Sequence, residues 1–453
     1  MNTSNALNRY NDEVSKLDGS KAGTRLSLLF DNGEYTPLDR FVKNNGAECE
    51  VVTAYGEVNG MLVYAFAQNI DVNSGAMGRA QASKIAHVYE LATKTGAPVV
   101  AVFDSNGAHV DEGVEALEAY GALIKAAGNI SGVVPQIAVV SGACVGSAAV
   151  LANLSDCVVM TENAELYITA PVSSNIAYAK VAAENGTATV VVDDDNAAMA
   201  KAAEILSYLP SNNLSEAAYV ECVAPVGGDA IASIVDANSY TELFAEYGKC
   251  VKTGFARVAG ASVGVVATDS SVNDGYFCEC GAKKAAKFVR FCDAFSIPVI
   301  TLVDSKGVKA CEDSFGGDVK SVAVLASAYS EATTAKVTVV TGNALAGAYI
   351  SFVSSAGAPD MVYAYADSVI GVLEPMTAVQ LLYKDRLANG EDRKALEAEY
   401  VADKCSPFVA AATGLVNDVI DSADAANKIV SALDILSSKR VSTLSKKHTN
   451  IPL

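Results

Sequence analysis

Two pairs of glycine turns carry the residues in this chain that could do chemistry. The first pair is Asp104-Ser105-Asn106-Gly107-Ala108, closing the apolar run Pro98 to Phe103, and Gly142-Ala143-Cys144-Val145-Gly146-Ser147, closing Gln136 to Val140. The second is Asp304-Ser305-Lys306-Gly307, after Pro298 to Val303, and Gly342-Asn343-Ala344-Leu345-Ala346-Gly347-Ala348, after Lys336 to Val340. Glycine lets a ligand come close to the backbone where a side chain would stand in the way. Backbone N–H groups left free where a helix begins are a ready site for an oxyanion. A single turn of this kind is better explained by close packing. Two turns per copy, in two copies, point to function.

Other catalytic patterns are thin. The chain has no Walker lysine loop, no Gly-x-Ser-x-Gly elbow and no His-Glu-x-x-His. Cys144 lies in a glycine turn, but no histidine of matching context makes a nucleophilic dyad, so it reads as a small packing residue. His109, two residues past Gly107, either faces the site or points to solvent, and solvent is the simpler expectation. Asp193-Asp194-Asp195 precedes a helix and reads as a capping turn, not a metal cluster. Ten cysteines without a Cys-x-x-Cys pair, and no histidines besides His87, His109 and His448, argue against structural zinc. No metal is expected, and buried free thiols in a reducing cytoplasm are.

Composition narrows the partners. A net charge of −19 sets aside nucleic acid and anionic lipid, which would be repelled, yet leaves room for an anionic ligand at a local positive site. With 51% hydrophobic and 19% charged residues the sequence is that of a globular protein with an ample core. The stretches from Lys125 to Asp156 and from Lys336 to Asp360 carry no charge between their ends, but Gly, Ser and Asn break them. A buried strand, a glycine turn and a small-residue helix explain them better than a membrane span. Met1 to Asp12 is polar and shows no signal-peptide pattern.

The elements that must hold the turns occur twice, at an offset of about 200 residues. Gly60 matches Gly260, Lys84 matches Lys284, Pro98 matches Pro298, and Gly107 matches Gly307. So long a repeat means two homologous domains in one chain. Asn59-Gly60 between the alternating runs Val51 to Val58 and Met61 to Phe66 predicts a hairpin, echoed around Ala259-Gly260. Ile85, Val88, Tyr89 and Leu91 predict a helix ending at Gly96. Further helices are expected near 114–127, 146–153 and 197–207, and strands at 98–103, 136–140, 157–160 and 188–192. Charge-free strands alternating with helices imply an α/β fold with a largely parallel sheet, where ligands bind beyond the carboxyl ends of the strands. Tyr208 to Asn213 marks a boundary, giving domains 1–213 and 214–453, with 214–250 a connector holding helices and turns of its own. Lys439, Arg440, Lys446 and Lys447 read as a solvated tail.

With these elements placed, a resemblance emerges. Asp104 to Ala108 followed by Glu112-Gly113, then Gly128 to Ile137, resembles the first half of a biotin-dependent acyl-CoA carboxyltransferase, as do Ala82 to Ile85 and Leu91 to Pro98. Lys287 to Pro298, Ala328 to Thr333 and Lys336 to Thr341 resemble its second half more closely still. The resemblance implies two tandem crotonase-like (ββα superhelix) domains, an N-terminal acyl-CoA-binding one and a C-terminal biotin-binding one. It implies that Gly107, Ala108, Gly146 and Ser147 stabilise a thioester enolate, and that Gly307, Gly347 and Ala348 serve carboxybiotin. Gly75, Gly78, Lys84, Ala143 and Tyr349 fall at cofactor-binding positions.

Neither a Met-Lys-Met biotinylation motif nor an ATP loop is present, so the resemblance calls for a separate biotin carboxyl carrier protein. It also calls for a biotin carboxylase or a membrane decarboxylase subunit, and for a homo-oligomer, a dimer or a trimer of dimers, with the site between subunits. A cytoplasmic location is expected, peripheral to a membrane where a decarboxylase complex holds it. Acetyl/malonyl-, propionyl/methylmalonyl- and glutaconyl-CoA are the substrates implied, in either direction.

The chain departs from the family pattern at Asn106, Ser147, Ala346, Lys306 and Val308 to Ser314, and is short around 172–187. Backbone amides survive such changes, but Cβ atoms narrow the approach. A degenerate subunit kept for assembly is one alternative. A biotin-independent hydratase or thioesterase using Glu112 or Glu162 is another.

Overall fold

A computed structural model of the chain describes residues 3–44, 46–170, 176, 178–309 and 316–451. The chain divides into two units, Met1–Ala218 and Tyr219–Leu453.

The main sheet of the first unit consists of β1 (Tyr35–Leu38), β2 (Val51–Val58), β3 (Met61–Gln68), β4 (Val99–Ser105), β5 (Gln136–Val145), β6 (Cys157–Thr161), β7 (Glu165–Tyr167) and β8 (Val190–Val192); a small ribbon of Lys43–Asn44 and Ala47–Glu48 is separate from it. They lie in the order β1-β2-β3-β4-β5-β6-β8, with β7 joining the far end of β5. The first three pair antiparallel, and from β3 onward every pairing is parallel. Asn59 and Gly60 both take positive φ, 53° and 72°, as a tight hairpin turn demands. β4 is buried along its whole length, which explains why its sequence runs apolar without alternation. The Arg79–Thr95 helix packs on the Val114–Ile130 helix, over a core that includes Phe66, Phe103, Ile85 and Leu123. Gly96, at φ 65°, ends the first of these by turning its N–H back to Ala92.

The second unit repeats the plan with β9 (Thr241–Leu243), β10 (Val251–Val258), β11 (Ala261–Thr268), β12 (Val299–Ser305), β13 (Lys336–Leu345), β14 (Met361–Tyr365), β15 (Val369–Gly371) and β16 (Asp418–Ile420). The order is β9-β10-β11-β12-β13-β14-β16, with β15 on the far end of β13. Both copies share one irregularity. The β4–β5 register shifts between Phe103 and Ser105, and the β12–β13 register shifts between Val303 and Ser305. The strand ends carrying the glycine turns are thus splayed in the same way twice.

Three expectations need correction. Residues 214–250 contain no helix; their one regular element is β9, which pairs antiparallel with β10. Lys439 is not solvated, because its ammonium lies 2.8 Å from the Thr334 carbonyl and 2.7 Å from Asp360. The cysteines are not uniformly buried: Cys144, Cys157, Cys250, Cys292 and Cys405 are, but Cys222 is exposed. Among the described residues no helix is long and apolar enough to cross a membrane.

Candidate active site

Asp104, near the end of β4, organises the turns around it. Its carboxylate receives the Arg25 guanidinium at 2.7 Å, and Arg25 also holds Asp195 at 2.8 Å. It lies so close to Gly142 that any Cβ there would run into it, which fastens the ends of β4 and β5 together. Asp304 does the same with Gly342, and takes the Asn343 backbone and side-chain N–H groups at 2.7 and 3.0 Å in place of an arginine. In the acidic run, Asp194 caps its helix as expected, accepting the Ala197 N–H at 2.9 Å. The reach of Asp195 to Arg25 has no signal in the local sequence.

Beyond Asp104 the chain leaves one amide unused. The Gly107 N–H donates to the Ser105 hydroxyl at 3.1 Å, at a φ of 114° that favours glycine. The Gly107 carbonyl accepts the Met77 N–H at 2.9 Å, and the His109 N–H donates to the Met77 carbonyl at 2.8 Å. Ala108 sits at the centre of this isolated parallel bridge. Among the described residues its N–H has no partner, because in a parallel pairing the central residue turns its own groups away. At the end of β5, Gly146 takes φ 63° and donates its N–H to the Tyr167 carbonyl at 2.9 Å. The first unpaired amide is therefore that of Ser147, which opens the Ser147–Asn153 helix. Gly107 and Gly146 shape the turns; Ala108 and Ser147 offer the donors.

The second unit copies this arrangement bond for bond. The Gly307 N–H donates to the Ser305 hydroxyl at 3.3 Å, with φ 130°. The Gly307 carbonyl accepts the Phe277 N–H at 3.0 Å, and the Lys309 N–H donates to the Phe277 carbonyl at 2.8 Å. Ala346, at φ 46°, replaces Gly146 and donates to the Gly371 carbonyl at 3.0 Å. Among the described residues the amides without a partner are those of Val308 and Gly347. They are neighbours: a Cβ on Gly347 would stand 3.9 Å from the Val308 nitrogen and only 2.7 Å from its Cγ2. In the sequence Val308 stands out only as a departure from a motif, yet it is a donor position, and its register with Ala108 is the signal that marks it. The paired positions trade bulk, small with larger in Ala108 and Ser147, large with none in Val308 and Gly347.

The remaining nominated positions lie in the framework around these turns or away from them. Gly75, at φ 66°, packs on the Asp104 carbonyl with no space for a Cβ. Gly78 donates its N–H to Gln81 Oε1 at 3.0 Å and faces the Glu112 carboxylate. Lys84 is buried with its ammonium 2.7 Å from the Val51 carbonyl, and burial pushes its pKa down. Ala143 is half-buried on β5 opposite Glu165. Ala348 is fully buried, and Tyr349 beside it is half-buried with its phenol pKa raised by burial. Gly107 lies near Val145, its Cβ position 3.7 Å from the valine methyl, so the β4 and β5 turns meet; Lys84 stands apart from them in the core.

Cys144 is fully buried and burial raises its thiol pKa, in keeping with a packing role. Glu112 accepts the Arg79 N–H at 2.8 Å, and Glu162 is exposed. His109 corrects the expectation of a solvent-facing ring. Its side chain is 12% exposed, with Nε2 3.0 Å from Glu50 and Nδ1 3.1 Å from Asp111. Burial alone would lower its pKa; the hydrogen bonds to Glu50 and Asp111 outweigh that and raise it. Residues 310–315 of the altered loop, and 171–175 and 177 of the short region, lie outside the described residues.

Two strand–turn–helix sites, each with a carboxylate at the strand end and a pair of free amides, define a tandem crotonase-like protein. The carboxyl transferase domain family matches residues 20–451, and the chain belongs to it. The chain is 36% identical over 476 residues to the methylmalonyl-CoA decarboxylase subunit alpha of Veillonella parvula, covering 95% of this chain and 93% of that one. It is 36% identical over 438 residues to the methylmalonyl-CoA carboxyltransferase 12S subunit of Propionibacterium freudenreichii subsp. shermanii, covering 89% and 84%. The transcarboxylase 12S crystal structure, a hexamer with methylmalonyl-coenzyme A and methylmalonic acid bound, superimposes with a TM-score of 0.93 at 32% identity, covering 100% of both chains. The fold and the carboxyltransferase activity of the biotin-dependent acyl-CoA class that the sequence resemblance implied are those of this family.

Proposed function

We propose that the chain moves a carboxyl group between biotin on a separate carrier protein and a short-chain acyl-CoA, with methylmalonyl-CoA and propionyl-CoA as the first pair to test. The duplicated pair of unpaired amides carries this reading, because the reaction develops negative charge on two different oxygens. Ala108 and Ser147 receive the thioester oxygen as it gains charge in the enolate, and donors already in place need no reorganisation as the charge appears. Val308 and Gly347, packed side by side, present two N–H donors to the oxygen of a urea. When bound, carboxybiotin supplies the carboxyl group. Gly107, Gly146, Gly307 and Ala346 hold the four turns so that their neighbours' amides face outward.

The named relatives support the acyl group: both act on methylmalonyl-CoA by name, and the solved one holds it. Acyl-CoA binds the first unit of one subunit, and biotin the second unit of a partner copy, within a homo-oligomer. A biotin carboxyl carrier protein is the obligate partner, with a biotin carboxylase or a membrane decarboxylase subunit completing the system in or beside the cytoplasm.

The deciding experiment removes the backbone donor at position 147. Position 147 is the first residue of its helix, where proline is tolerated because its N–H has no intrahelical partner. Purified protein is given methylmalonyl-, malonyl- or glutaconyl-CoA with high free biotin, and loss of the carboxylated thioester is followed by mass spectrometry. Biotin-dependent turnover is expected for the wild type, falling roughly 10²–10³-fold in Ser147→Pro. Turnover that is indifferent to biotin, or a proline variant as fast as wild type with an unchanged circular dichroism spectrum, defeats the reading.

A further inference from the structure

We propose that His109, clamped between Glu50 and Asp111, is a positioning residue for the Ala108 amide; the proposal rests on the reading of that amide as a donor to the thioester oxygen. Glu50 is fully buried. Its carboxylate accepts from Asn73 at 2.7 Å, from Asn44 at 3.4 Å and from the Gln81 amide, and it meets His109 Nε2 at 3.0 Å. Three of these partners are neutral amides. A carboxylate taken wholly out of water is costly without a counter-charge, and His109 is the group in this cluster that can provide one. The charged groups facing the ring are Glu50, just before β2, and Asp111 on its own loop, both acidic. Asn44, 3.3 Å from Nε2, adds a neutral contact. The protonated ring therefore matches its surroundings and the neutral ring does not.

The place of this cluster in the fold gives it a role. Glu50 anchors both sides of the Met77–Ala108 bridge. On one side Gln81, which donates to Glu50, also accepts the N–H of Gly78, one residue past Met77. On the other side His109, one residue past Ala108, is bound to Glu50 directly. Loss of the proton from His109 leaves the buried carboxylate without its counter-charge, and loosens the strand on which the Ala108 donor is mounted. Among the described residues the second unit has nothing equivalent: Cys250 stands where Glu50 does, and Lys309 instead pairs with Asp274 at 3.5 Å. The effect is thus confined to the thioester side.

The test uses the full-length protein, with turnover of methylmalonyl-CoA and free biotin measured from pH 6 to 9.5. Because the His109 pKa is raised, the cation persists to higher pH than in an ordinary histidine and is lost as pH rises further, so wild-type kcat declines with that loss. His109→Arg keeps the charge and removes that alkaline limb. His109→Gln is neutral at every pH and lowers kcat roughly 10–100-fold, with KM for the acyl-CoA little changed. Hydrogen-exchange protection of residues 105–109, taken relative to the base-catalysed intrinsic rate at each pH, is read on the same samples: protection falls with rising pH in wild type, stays high in His109→Arg and is low throughout in His109→Gln. A His109→Gln enzyme with wild-type kcat and pH profile overturns the proposal. So does wild-type protection that is independent of pH, and that readout decides the clamp even where no protein transfers carboxyl and the functional reading itself has failed.

Discussion

Between Gly347 and Val308 there is no room for one more carbon. A methyl on residue 347 would stand 2.7 Å from Val308 Cγ2, and valine, branched at Cβ, has few rotamers with which to retreat. Gly347 does not need glycine for its backbone, since it is absent from the residues with positive φ. Gly347→Ala is therefore expected to act by displacing the Val308 amide, lowering biotin-dependent turnover roughly tenfold or more. Val308→Ala should restore most of that loss in the double variant, as coupling between touching residues requires. A double-mutant cycle on kcat/KM for biotin checks this; additive losses would show that the collision is not the cause.

At the level of the elements, two buried lysines hold chain ends in place. Lys284 donates to the Phe244 and Tyr247 carbonyls, each at 2.9 Å. Lys336 donates to the Tyr329 and Ala332 carbonyls at the end of the Gly317–Glu331 helix. Burial brings both ammonium groups down to about 8. In the unfolded chain a lysine titrates near 10.4, so between these values the unfolded state binds more protons and stability rises with pH. The slope approaches about 1.4 kcal/mol per pH unit for each lysine at most. Urea midpoints are measured from pH 7 to 10, and the difference between wild type and Lys284→Met should move in favour of wild type as pH rises.

Much of this level could be read from the sequence, because its signals are local. Asn59-Gly60 and the apolar run of β4 announce a hairpin and a buried parallel strand without any partner in view. The free amides could not be read in the same way. Gly146 looks like a donor until β7 pairs with β5 and its N–H goes to Tyr167. His109 looks solvent-facing until Glu50 arrives from 59 positions away. Residues 214–250 carried helix-like runs, yet Thr241 to Leu243 was claimed by the edge of β10.

For the whole molecule, the two units offer a way to locate the site. Ser147→Pro disables the first unit and Gly347→Val the second. If acyl-CoA binds one subunit and biotin its partner, a mixed dimer has one site made from two intact units. Mixing the two inactive proteins under exchange should then recover about one quarter of wild-type turnover for a freely exchanging dimer. No recovery, with exchange verified by mass, would place both substrates on a single chain.

The tight fit of Val308 on Gly347 has a further corollary, in the history of the chain. The halves descend from one duplicated ancestor, and their counterpart pairs differ at both positions: alanine with serine, valine with glycine. Valine with serine is blocked by the same collision. Valine at 308 is thus compatible only with glycine at 347, and the two positions of each pair must change in concert.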